Sequence, residues 1–126
     1  MSDELYAAAL AKVREYRGAS ATLGQGPMAE LAPEVDRIKD EFLWGVLWSD
    51  PAVDIKTRSL CTISALAVLG KEEQLKNHMG WALNVGVTKE QIVSILSQML
   101  IYGGLASAHN AMRVAKEVFQ EKGLLK

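Results

Sequence analysis

The chain is short of most features that announce a function. It has a single cysteine, Cys61, among 126 residues. No disulfide can close within one chain, and no cysteine pair is available to hold zinc or to cycle as a dithiol. Only 3 prolines occur, and the hydrophobic fraction is 49%, which argues against a disordered or collagen-like chain. An excess of one charge is also missing. The 14 basic and 15 acidic residues leave a formal net charge of −1, so there is no general electrostatic footprint for nucleic acid or an anionic membrane. No stretch approaches the ~18 consecutive apolar residues of a membrane span. The most apolar segment, Ala65-Leu66-Ala67-Val68-Leu69, is short and ends at Gly70. The opening Met1-Ser2-Asp3-Glu4 is acidic where a secretory signal is basic and then apolar. The expectation is a soluble cytoplasmic protein with no nucleic-acid or membrane partner. Its length suits one domain, since domains cluster near ~100–150 residues.

What is present is helical periodicity almost throughout, with no run that alternates long enough to make a strand. The spacing predicts a first helix over Asp3 to Arg17, with Leu5, Ala8, Ala9 and Val13 on one stripe and Gly18 ending it. Three glycines with Ser20 and Thr22 mark a mobile linker over 18–26. The linker extends to residue 32 and includes a short turn near Met28 to Leu31. A second helical stretch covers Pro33 to Trp48, with Pro33 suited to a first helical position. Asp54 is placed as N-cap of a third helix, Ile55 to Leu69, stopped by Gly70. A fourth runs from Lys71 to Val85, closed by Gly86. Thr88 and Gln91 form a capping box for a fifth, Lys89 to Tyr102. After Gly103-Gly104 a sixth runs from Leu105 to Lys122. The fold class expected is all-α, about six helices in an antiparallel bundle, because short glycine-containing loops favour antiparallel neighbours. From Ser59 onward the third helix carries no charge. A helix without a solvent face belongs in the middle of something, and a chain this small has little middle of its own. A homo-oligomer is therefore expected.

Few residues could carry chemistry. On a wheel at ~100° per residue, His78 falls within the apolar arc of the fourth helix, between Val85 and Ala82. An inward imidazole suits proton transfer because burial and neighbours move its pKa across neutrality. The same placement also describes a core histidine bonded to a backbone carbonyl. His109 sits at the edge of the last helix's apolar face, beside Leu105 and Met112. Two histidines on separate helices, without a paired-ligand spacing, do not make a metal site. Arg58, near the start of the uncharged helix, must meet an anion: a ligand carboxylate, a protein carboxylate such as Glu41, or a subunit neighbour. Trp44 and Trp48 share one helix face, where they are core or the walls of a pocket for a flat ring. Cys61 in an apolar helix is an inert small hydrophobe or a reactive thiol.

Phe42-Leu43-Trp44-Gly45-Val46-Leu47-Trp48, followed by Asp54-Ile55-Lys56-Thr57-Arg58-Ser59-Leu60, resembles the central signature of the carboxymuconolactone decarboxylase family. So does Gln74-Leu75-Lys76-Asn77-His78, continuing through Ala82-Leu83-Asn84-Val85-Gly86-Val87-Thr88. The likeness runs through Tyr102-Gly103-Gly104 into Asn110-Ala111 and Arg113-Val114-Ala115, covering about Phe42 to Phe119. It implies an all-helical, multimeric fold and, in founding members, decarboxylation of a carboxylated muconolactone during aromatic-ring catabolism. Similar members usually read Gly-x-Pro-Ala-Ala-x-Asn after the tyrosine. Here Gly104-Leu105-Ala106-Ser107-Ala108-His109-Asn110 stands, with Ala106 at the proline position and His109 at a position the motif leaves open. The related alkyl hydroperoxidases carry Cys-x-x-Cys-x-x-x-His, and the two cysteine positions ahead of His78 are Lys71 and Gln74.

The resulting expectation is a carboxy-lyase acting on a small-molecule carboxylate without a cofactor. Arg58 would hold the carboxylate, His78 would donate the proton, and His109 would orient substrate or meet the oxyanion. Trp44 and Trp48 would shape the pocket. The alternatives are thiol-dependent peroxide reduction through Cys61 and a non-catalytic oligomeric binding module.

Overall fold

The computed structural model describes residues 3–126; Met1 and Ser2 of the acidic opening lie outside the described residues. It is helical, with no strand among the described residues. The order is α1 (Asp3–Arg17), α2 (Pro27–Leu31), α3 (Pro33–Asp40) continuing into a π-helical segment (Glu41–Leu47), α4 (Ile55–Leu69), α5 (Glu72–Asn84), α6 (Lys89–Gly103) and α7 (Leu105–Glu121). The all-α expectation holds, and the bounds of α1 and α4 coincide with the periodicity. No helix among the described residues is long and apolar enough to cross a membrane. The chain divides into two units, one ending at Ile55 and one spanning Lys56–Lys126.

In the N-terminal unit, α1 buries Ala9, Val13 and Tyr16, and Gly18 leaves the helix with φ +129°. The segment 18–32 is tied down in places. The Arg14 Nε–H donates to the Ala21 carbonyl at 3.0 Å, Leu23 is buried, and α2 starts with Pro27 in its first turn. The stretch expected as one regular helix from Pro33 to Trp48 changes register at Glu41. There the Trp48 N–H bonds to the Leu43 carbonyl, five residues back, at 2.9 Å, which is the π-type closure. Two local features accompany it. The Ser49 hydroxyl donates to the Trp44 carbonyl at 2.6 Å, closing the segment's end. At Gly45 any Cβ would lie 2.9 Å from the Leu5 backbone oxygen, so α1 lies against this turn at a distance only glycine allows. Trp44 and Trp48 then sit ring to ring at 4.9 Å, packed on Tyr16 at 6.0 and 4.7 Å.

In the C-terminal unit the core is aliphatic. Ile63 and Ala67 of α4, Leu75, Met79 and Ala82 of α5, Ile92 and Leu96 of α6, and the inner face of α7 form one cluster. Beyond Arg58, α4 carries no charge and pairs two of its hydroxyls internally. Thr62 and Ser64 donate back to the carbonyls of Arg58 and Leu60 at 3.0 and 2.8 Å, satisfying groups that would be costly to bury open. Gly70 ends α4 with φ +72°, the left-handed stop that glycine supplies. The Thr88–Gln91 capping box is present in both directions, each bond 3.0 Å.

Candidate functional site

The C-terminal unit carries Arg58, His78 and His109 on three different helices. Arg58 lies in the first turn of α4 and is half-buried. That turn is located by its neighbour Lys56, whose Cε would meet a Cβ at Gly86 at 3.1 Å. The start of α4 thus lies against the loop that closes α5. At its other end, α4 meets the α6–α7 corner. A Cβ on Gly103 would lie 2.9 Å from a Val68 methyl, and the Ser107 hydroxyl donates to the Val68 carbonyl at 3.4 Å.

His78 lies on α5, whose buried line is Leu75, Met79 and Ala82. The wheel places His78 within that arc; the structure puts it on the flank, half-buried. Its ring stands edge-on to Trp81, centroids 4.9 Å apart and planes inclined by 71°. The imidazole is shielded on one side by an indole without being sealed in the core. Surface charge pairs link α5 to α7. Lys76 Nζ reaches Glu117 at 2.7 Å and Glu121 at 3.1 Å, and Arg113 joins Glu72 at 3.0 Å and the Asn110 side chain at 2.9 Å. Hydrogen bonds to Glu117 and then Glu121 raise the Lys76 pKa above that of an ordinary lysine, against a smaller desolvation effect.

His109, on α7, is exposed. It lines a hollow of about 250 Å³ between α6 and α7, together with Ser97, Leu100, Leu105, Ala108 and Met112. Leu105 and Met112 are its helical neighbours and legible as such. Ser97 and Leu100 come from α6, and only the pairing of the two helices brings them in. Neither Arg58 nor His78 is among the lining side chains. No group of three or more His, Cys, Asp or Glu is placed to hold a metal ion among the described residues. Cys61 is exposed on α4.

Trp44 and Trp48 belong to the N-terminal unit. Only 2% and 8% of their surfaces are exposed, and each ring is packed on Tyr16. The structure brings these two together as the aromatic core of that unit. Beside them the structure buries three carboxylates, Asp36, Asp40 and Glu41, of which the sequence pointed only to Glu41, as a partner for Arg58. Lys39 bridges Asp36 and Asp40 at 2.9 Å each, and Arg37 Nε holds Glu41 at 2.8 Å. Burial works to lower the Lys39 pKa, but the hydrogen bonds to Asp40 and Asp36 outweigh it and leave the pKa raised. Arg17, over the Trp44 ring at 5.1 Å, has its pKa lowered by burial, opposed by the charge of Asp40. The signal that could have found this cluster is the i, i+3 spacing of Asp36 and Lys39 together with the i, i+4 spacing of Arg37 and Glu41.

Residues 33–117 match the family model described as "Carboxymuconolactone decarboxylase family". The chain is 40% identical over 83 residues to "4-carboxymuconolactone decarboxylase" of Acinetobacter baylyi (strain ATCC 33305 / BD413 / ADP1), covering 66% of this chain and 62% of that one. It is 34% identical over 97 residues to the "Uncharacterized 15.0 kDa protein in nqo9-nqo10 intergenic region" of Paracoccus denitrificans, covering 75% and 72% of the two chains. It is 31% identical over 81 residues to "Nitrosuccinic acid decarboxylase npaB" of Metarhizium robertsii (strain ARSEF 23 / ATCC MYA-3075), covering 64% and 57%. The match therefore spans less than two thirds of the length of the two relatives named as decarboxylases.

Proposed function

Because the chain belongs to the carboxymuconolactone decarboxylase family, we propose that it is a cofactor-independent decarboxylase acting on a carboxylated unsaturated lactone. Two of the relatives above are named as decarboxylases, which supports the reaction class. The observation that carries the reading is His78, half-buried and flanked by Trp81, in the same unit as the half-buried cation Arg58.

The chemistry asks for little more. As the bond between the ring carbon and its carboxylate breaks, carbon dioxide leaves. The electron pair it releases moves through the ring alkene onto the lactone carbonyl, which becomes an oxyanion. The conjugated carbonyl is the electron sink. A cation must first hold the carboxylate, and Arg58 takes that role. An acid must then return a proton to ring carbon as the oxyanion collapses back to a carbonyl, and His78 takes that one. His109 is the candidate donor to the oxyanion. The test is to incubate the purified chain with an unsaturated carboxy-lactone and measure carbon dioxide against lactone consumed. One-to-one release without added cofactor is expected, with an Arg58→Met variant raising KM. No release from any carboxy-lactone would refute the reading.

The exposure of Cys61 favours a rival, thiol-dependent peroxide reduction, which predicts that Cys61→Ser abolishes activity; the decarboxylase reading expects full carbon dioxide release from that variant. We also infer self-association through α4. That helix is uncharged from Ser59 onward, yet within its own chain it buries only Ser59, Ile63 and Ala67, leaving Cys61, Ala65 and Leu69 open. Sedimentation equilibrium of the wild type is expected to give a multimer, and of Ala65→Glu a smaller species. A monomeric wild type would remove the inference.

A further inference from the structure

The hollow between α6 and α7 is open at its mouth and largely apolar along its walls. Of its lining residues, Leu100, Leu105, Ala108 and Met112 offer aliphatic or thioether surface, and no carboxylate, lysine or arginine is among them. A charged ligand would leave water for a wall with no fixed counter-charge, which is costly; a neutral one would not. Two polar groups remain. The Ser97 hydroxyl already donates its proton to the Val93 carbonyl at 2.8 Å, so towards a ligand it can only accept. His109 can donate through one ring nitrogen. One ligand group that uses both is a hydroxyl, whose hydrogen goes to Ser97 Oγ while its oxygen accepts from the imidazole. Size sets the rest. An engineered apolar cavity of about 150 Å³ holds benzene, so about 250 Å³ accommodates a six-membered ring with a small substituent.

We propose that this hollow is a binding site for a neutral, ring-sized molecule bearing a hydroxyl group, of the phenol class. Its ring lies against Leu100, Leu105 and Met112, and its hydroxyl is shared between Ser97 and His109. The site needs neither Arg58 nor His78 and shares only His109 with the proposed decarboxylation, so phenol binding, read without turnover, tests it apart from that reaction.

Methyl-labelled protein, in whatever assembly it forms in solution, is titrated at pH 7 with phenol, toluene and benzoate while the Leu, Ala and Met methyl resonances are followed. Saturable shifts confined to Leu100, Leu105, Ala108 and Met112 are expected with phenol, with toluene weaker and benzoate weakest. Ser97→Ala and His109→Ala should each weaken phenol about five-fold, the effect of one hydrogen bond, and leave toluene unchanged. Leu105 is 74% exposed, so Leu105→Trp should fold and block the hollow, abolishing the shifts. Benzoate binding as tightly as phenol would overturn the proposal. So would phenol shifts that are absent or spread over the molecule, or methyl shifts that follow protein concentration instead of phenol, the mark of a second copy filling the hollow.

Discussion

The two units handle charge in opposite ways. The N-terminal unit takes three carboxylates out of water and answers them at once with Arg37 and Lys39 at 2.8 to 2.9 Å. The C-terminal unit builds its core from aliphatic side chains and keeps its ionisable groups at the margin: Arg58 and His78 half-buried, His109 exposed. A buried charge already paired is committed to structure, because removing either partner strands the other. A charge at the edge of an apolar core retains some capacity to bind or to move a proton. On the proposed reading the chemistry belongs to Lys56–Lys126, and the paired carboxylates give the unit before it a structural character.

Mutations and pH can break that comparison. The largest effect is expected in the aliphatic core, where Leu96 is fully buried. Leu96→Ala should cost about 2–5 kcal/mol in urea unfolding, and a loss under about 1 kcal/mol would mean that the cluster is loosely packed. Next come two glycines, one in each unit. Gly45→Ala drives a Cβ to 2.9 Å from the Leu5 backbone oxygen and should destabilise by about 1–3 kcal/mol. Gly80→Ala, mid-helix with only Lys122 Cε nearby at 3.8 Å, should stabilise by about 0.5–1 kcal/mol. The two variants are therefore expected to move the thermal midpoint in opposite directions.

A pH titration sharpens the contrast further. The Lys39 pKa is raised in the folded state. Its contribution is fully present below the ordinary lysine value of 10.5 and disappears as pH climbs through the higher folded value. Alkaline unfolding of the N-terminal unit, followed by the fluorescence of Trp44 and Trp48, should begin above that range and lose its steepness in Lys39→Met. Lys76 is also raised, but it lies on the surface among exposed glutamates, so Lys76→Ala should produce the smallest change of the set.

The sequence carried much of this and missed the rest for identifiable reasons. The ends of α1 and α4 follow from local signals, Gly18 and Gly70 among them, each with positive φ. The capping box at Thr88 is equally local. The π segment is not, because Trp44 and Trp48 are neighbours on either kind of helix. What distinguishes them is the approach of Leu5 to Gly45, forty residues away in the chain. For the same reason the wheel turns His78 inward between Val85 and Ala82, whereas its half-buried position on the flank beside Trp81 depends on how α5 packs. The linker over 18–32 showed its glycines, whereas the bond from Arg14 to Ala21 needed coordinates.

The central claim is that His78 returns the proton to ring carbon after carbon dioxide leaves, and the steady-state rate at which His78→Gln forms the protonated lactone product measures it most directly. A fall in kcat of about 10²–10⁴-fold, with an unchanged helical spectrum and thermal midpoint, is the result predicted. A folded His78→Gln chain that turns over at the wild-type rate would contradict it.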